Sequence, residues 1–187
     1  MKTTICNSAR CRFAGIIAIA AVIGLLMAGC GDGAGGGYTP TAGLYRITGQ
    51  TIVAADRVDT VPANNVTAAV AHVNANPGEY TLLVGADTDL PGHATGGFNV
   101  SGVNLTIIGI GDERRISLSS NGRMFTVGAA GQTGISLTIG NNITLVGRNA
   151  AAAGANNDQT LVLVQNGASL TMNAGAQITG NTATGNN

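Results

Sequence analysis

A chain of 187 residues with zero formal net charge, 10% charged residues, 3% aromatic residues and 29 glycines has room for one ordinary domain. So little charge is unlike solvated disorder, and the many Gly and Asn residues suit a fold that turns often. Beyond Cys30 the chain carries six Arg against nine acids, a net of −3. Such a body offers a nucleic acid neither counterion release nor stacking platforms, so no nucleic-acid partner is expected.

Residues 1–12 hold Lys2, Arg10 and Arg12 and no acid, and Phe13 to Met27 is an unbroken apolar or small run. About fifteen residues fall short of the ~20 that a spanning helix needs and fit a signal-peptide core. The run closes on Leu26-Met27-Ala28-Gly29-Cys30. This resembles the bacterial lipobox, in which small residues precede a Cys that is lipidated and becomes the new N-terminus; Met27 departs from the usual Leu. The resemblance implies a signal peptide over 1–29 and lipidation at Cys30. It places the chain in the bacterial cell envelope, lipid-anchored to a membrane at the cell surface (outer membrane) or at the periplasmic face. Cys6 and Cys11 would leave with the signal peptide, so the mature chain has neither a disulfide nor a second thiol for a metal. Gly31 to Gly37 holds five Gly in seven residues, a flexible tether within 30–42.

Within 43–79, Leu44-Tyr45-Arg46-Ile47 and Thr51-Ile52-Val53 read as two short strands about Gly49, the arms of a hairpin. A helix over about 65–75 follows, with Asn64 or Asn65 as its N-cap and Asn76-Pro77-Gly78 as its stop. Its Val66, Ala69, Val70 and Val73 form one stripe at i, i+3, i+4, i+7, suited to covering the open end of a core. Tyr80 to Val84 and Phe98-Asn99-Val100 read as strands of an imperfect first coil.

A pattern then repeats. Leu105-Thr106-Ile107, Leu137-Thr138-Ile139 and Leu170-Thr171-Met172 begin 32 and then 33 positions apart. Ile116-Ser117-Leu118, Ile143-Thr144-Leu145 and Ile178-Thr179-Gly180 form a second column, and Phe125-Thr126-Val127 and Val162-Leu163-Val164 a third. The alternation of apolar and hydroxyl residues is that of half-buried strands, and a repeat this short buries its face only by stacking. The expected fold is an all-β solenoid over 80–187: a right-handed parallel β-helix with three short strands per coil and an N-terminal capping helix. The Asn149 to Gln159 insertion should protrude from one edge. Asn181 to Asn187 supplies no large apolar residue, so the last coil is expected to end open and to offer a route to self-association.

The stretches Leu137-Thr-Ile-Gly-Asn-Asn-Ile-Thr-Leu-Val-Gly-Arg148 and Gly167-Ala-Ser-Leu-Thr-Met-Asn-Ala-Gly-Ala-Gln-Ile-Thr-Gly-Asn181 resemble coils of bacterial surface lipoproteins with pectate-lyase-like right-handed β-helix repeats, of the kind multiplied in spirochaetes. The resemblance covers about 80–187 and implies fold and location but no reaction.

Enzymes of that architecture set acids, Ca²⁺ and basic residues along one sheet. The outward positions here, Thr106, Thr138, Thr171, Ser117, Thr144 and Thr179, hold neither acid nor base. Asp87 and Asp89 are the only candidate Ca²⁺ ligands, and a solvated turn accounts for them as well; no metal site and no cofactor is expected. Arg114 and Arg115 are candidate contacts for an acidic sugar, set against plain exposed ion pairing within Asp112-Glu113-Arg114-Arg115. His93 lacks the partners of a glycosidase motif, and His72 belongs on the helix beside its apolar stripe. The expected function is a non-enzymatic lipoprotein scaffold for display, adhesion or interaction, with the membrane, glycans or surface proteins as partners. The alternative is a degenerate or truncated carbohydrate-active β-helix of the polysaccharide lyase or hydrolase kind.

Overall fold

The computed structural model describes residues 38–49, 51–165 and 167–184. Eleven strands, none longer than six residues, make three sheets. Strand β1 (Gly43–Arg46) is followed by a 3₁₀ turn (Ala54–Asp56) and helix α1 (Val66–Ala75). Then come β2 (Glu79–Val84), β3 (Thr88–Leu90), β4 (Asn104–Gly109), β5 (Arg114–Leu118), β6 (Phe125–Val127), β7 (Ile135–Ile139) and β8 (Ile143–Val146). A short helix α2 (Ala150–Ala153), β9 (Val162–Val164), β10 (Ala168–Met172) and β11 (Gln177–Thr179) complete the described chain. The sheets have the orders β1-β2-β4-β7-β10, β11-β8-β5-β3 and β6-β9.

The expected fold class, an all-β and wholly parallel right-handed solenoid, is corrected. The largest sheet is mixed: β1 runs antiparallel to β2, with Tyr45 opposite Thr81. The chain leaves β1, returns through the 3₁₀ turn and α1, and enters β2 from the opposite direction, so β1 cannot be a parallel rung. The third sheet has two strands, Phe98 meeting it only through a single bridge to Val127. The architecture is one of short strands in mixed parallel and antiparallel sheets with a ten-residue helix. The expected hairpin is also absent: β1 takes β2 as its partner, and Thr51-Ile52-Val53 forms no strand.

The repeat fixes register unevenly. Leu105, Leu137 and Leu170 lie side by side, and Phe125 lies beside Val162, as their spacing predicts. In the second sheet, however, Ile116 and Ile178 both align with Leu145, and Ile143 lies beside Arg114. The offset is two residues, which preserves the pleat and leaves Ile116, Leu118, Ile143 and Leu145 facing the core. That inner face is one core. Leu82, Leu105, Ile107, Leu137, Ile139, Ile116, Ile143, Leu145, Phe98, Phe125 and Val127 are buried together, and α1 adds Val66, Ala69, Val70 and Val73.

The helix starts where Asn65 caps it, its Oδ1 accepting from Ala68 N at 2.9 Å. Asn64, at φ 59°, instead accepts from Gly85 N at 2.7 Å and ties the helix start to the chain leaving β2. The outer face departs from a solvated hydroxyl ladder. Thr81, Thr106 and Thr144 are buried, as are Leu83 and Ile108, while Thr171 and Thr179 are exposed. The hydroxyls of Thr81 and Thr144 find no hydrogen-bond partner.

Candidate functional site

Cys30, the expected lipidation site, lies outside the described residues. No described helix is long and apolar enough to cross a membrane.

The two carboxylates named from the sequence do different things. Asp87 accepts a hydrogen bond from Arg115 N through Oδ1 at 2.9 Å, closing the chain beside the start of β5. Asp89 sits exposed on β3, at the rim of a shallow depression of about 390 Å³ that Asn64, Asn65 and Thr67 also line. Among the described residues no group of three or more His, Cys, Asp or Glu side chains is placed to hold a metal ion.

The two arginines are likewise divided. Neighbours on a strand point to opposite sides. The Arg114 Nε donates to the Ile110 carbonyl at 3.1 Å, and the Arg115 Nε lies 3.7 Å from the Glu113 carboxylate in an exposed pair. Such a pair contributes ~0–1 kcal/mol, and the two guanidinium groups do not converge on one anion. His72 is half-buried, with its ring edge-on to Tyr80 at 5.7 Å. His93 adopts φ 60° and its backbone N donates to the Arg123 carbonyl at 2.7 Å.

Two polar assemblies escape a reading by motif. In the first, the Tyr45 hydroxyl donates to the Thr41 carbonyl at 2.9 Å, lies 3.1 Å from the Tyr38 hydroxyl and accepts from Arg57 at 3.4 Å. Burial pushes the Tyr45 pKa up, but the hydrogen bonds from Tyr38, Thr41 and Arg57 outweigh it and leave the pKa below its ordinary value. The second is centred on Asn157, which is fully buried. Its amide meets both polar groups of Gly122, and its Nδ2 also donates to the Gln159 carbonyl and to Asn181 Oδ1 at 2.9 and 3.0 Å. The insertion expected to protrude is therefore fastened inward by its own second half. One Asn in an Asn-rich loop carries no signal that it, among its neighbours, is the buried one.

The remaining surface of note is the layer made by β9, β10 and β11. Each is the last strand of its sheet, and the large apolar residues Val164, Met172 and Ile178 stand exposed there.

No family model, no curated protein and no solved structure matches the chain.

Proposed function

We propose that the chain is a lipid-anchored protein of the bacterial cell envelope whose short-stranded sheets serve as a non-catalytic scaffold for display or interaction. The observation that carries the address is the Phe13 to Met27 apolar run closing on Ala28-Gly29-Cys30 and followed by a Gly-rich tether. An acyl chain contributes ~0.8 kcal/mol per buried methylene, so several chains on Cys30 hold the protein at a bilayer. The scaffold reading is supported by what the candidate polar groups do. Asp87, Arg114 and Asn157 each hydrogen-bond to backbone groups within the fold, Asp87 and Asn157 joining segments 28 and 35 residues apart and Arg114 its own turn.

Metabolic labelling with a fatty acid tests the reading. The wild-type chain is expected to take up label and to partition into detergent, and Cys30→Ala to accumulate as an unlabelled precursor. Equal labelling of the two would remove the anchor from the proposal.

A further inference from the structure

The corner between β5 and β6 carries a chemically labile pair, Asn121-Gly122. In an Asn-Gly pair no side chain shields the glycine N, which can attack the asparagine side-chain carbonyl carbon. The fold requires glycine here. Gly122 adopts φ 133°, and a Cβ added to it would fall against the His93 ring. Asn121 is exposed, so water reaches its side chain.

Two hydrogen bonds oppose the attack, and both come from the 149–159 insertion. The Gly122 N–H must lose its proton before the nitrogen can attack, and it is buried and donates to Asn157 Oδ1 at 2.9 Å. The Asn121 side chain must turn its carbonyl carbon toward that nitrogen, and its Oδ1 is held by Asp158 N at 2.9 Å. Nucleophile and electrophile are thus each fixed by one of two consecutive residues, 35 and 37 positions away in the chain.

We propose that Asn121-Gly122 is a latent modification site, closed while Asn157 and Asp158 are seated and opened when the insertion lifts off. In the open state hydroxide takes the Gly122 N–H proton and the nitrogen bonds to Asn121 Cγ. The side-chain nitrogen leaves as ammonia, and a succinimide ring remains. Water then opens the ring at either carbonyl, which gives aspartate or isoaspartate at position 121. Isoaspartate routes the main chain through the former side chain and adds a backbone carbon ahead of Gly122. The altered corner no longer presents Gly122 to Asn157 in the same place, so an insertion that has opened is kept from reseating.

The full chain, in an excess of mild detergent and mildly alkaline buffer, is sampled over time. Peptide mapping by mass spectrometry follows Asn121 separately from the second Asn-Gly pair, at 166–167. Folded wild type should convert at Asn121 about tenfold or more slowly than the same chain in denaturant. Asn157→Ala should convert about tenfold or more faster than folded wild type, while hydrogen exchange shows the amides of β4 and β7 still protected. Asn181→Ala removes a partner of Asn157 without touching Gly122, and it should speed conversion less. It also carries the test if Asn157→Ala does not fold. Asn65→Ala, which loosens α1 instead, should leave the rate at Asn121 unchanged. Three results would each overturn the proposal: folded wild type converting as fast as denatured chain, folded clamp variants converting no faster than wild type, or Asn65→Ala matching them.

Discussion

The Asn157 side chain grips a single residue of the neighbouring layer, Gly122, by both of its backbone polar groups. Oδ1 accepts from Gly122 N at 2.9 Å, and Nδ2 donates to the Gly122 carbonyl at 2.9 Å. At neutral pH an amide is the only side-chain group of this size that presents a donor and an acceptor side by side. Asn157→Ala leaves both Gly122 groups and Asn181 without that partner in a buried place, and we predict a loss of roughly 2–4 kcal/mol by denaturant unfolding. Asn157→Asp keeps the shape but sets a carboxylate against the carbonyls of Gly122 and Gln159. Its folded-state pKa should be raised above the unfolded value of about 3.9. The variant should therefore melt closest to wild type below that pH and lose stability as pH rises through and above it. A melting temperature for Asn157→Asp that is flat or rising with pH would contradict the clamp.

Close stacking makes a second demand at the corners. A Cβ added to Gly109 would fall inside the van der Waals shell of the Asn142 carbonyl oxygen, which is backbone and cannot swing away. Gly131 differs: φ is 76°, but no atom lies within 4 Å of a Cβ there. We predict that Gly109→Ala costs about 3 kcal/mol or more by forcing the two layers apart, and that Gly131→Ala costs ~1–2 kcal/mol from backbone strain alone. Comparable melting temperatures for the two variants would show that the corner relaxes freely.

What the sequence reveals follows the range of the interactions. Alternation of Leu, Thr and Ile shows which residues face inward, and rows of nearly equal spacing, such as Leu105, Leu137 and Leu170, find one another as expected. The second sheet slips by two residues because a two-residue shift leaves the pattern of faces unchanged, so hydrophobicity alone does not choose between the registers. The antiparallel entry of β1 depends on the path of the chain through the 3₁₀ turn and α1, which no strand motif encodes. Asp87 stands out in the sequence by its charge, yet its hydrogen bond from the Arg115 N–H, 28 residues away, is a tertiary fact. The same holds for Asn157.

The two Asn residues ahead of α1 separate local from long-range work. Asn65 caps the helix through Ala68 N, and Asn65→Ala should cost about 1 kcal/mol, mostly as fraying of the first turn. Asn64 sits at φ 59° and accepts from both Gly85 N and Ala86 N, at 2.7 and 3.2 Å. Asn64→Ala loses both bonds and places a Cβ in left-handed backbone, for roughly 2–3 kcal/mol. Asn64→Gly loses only the bonds and should fall between the other two. Hydrogen exchange at Gly85 and Ala86 should speed up in both Asn64 variants and stay unchanged in Asn65→Ala; equal effects would mean that the helix start is held by the cap alone.

Ile143 and Thr144 test the two faces of the second sheet. Ile143 is 0% exposed inside the core, and Ile143→Asp should cost several kcal/mol by burying an unpaired carboxylate. On a solvated outer face, Thr144→Asp would be mild by comparison. Thr144 is instead 2% exposed, and its hydroxyl has no hydrogen-bond partner. A charge there is desolvated too, so Thr144→Asp should also lower the melting temperature sharply. Thr144→Val keeps the β-branched shape and removes a buried hydroxyl that binds nothing, and burying such a group costs ~1–3 kcal/mol. We therefore predict that Thr144→Val melts at or above wild type while both Asp variants melt well below it. If Thr144→Asp instead stays near wild type, the outer face of β8 is open to water, as the alternation of its sequence suggests.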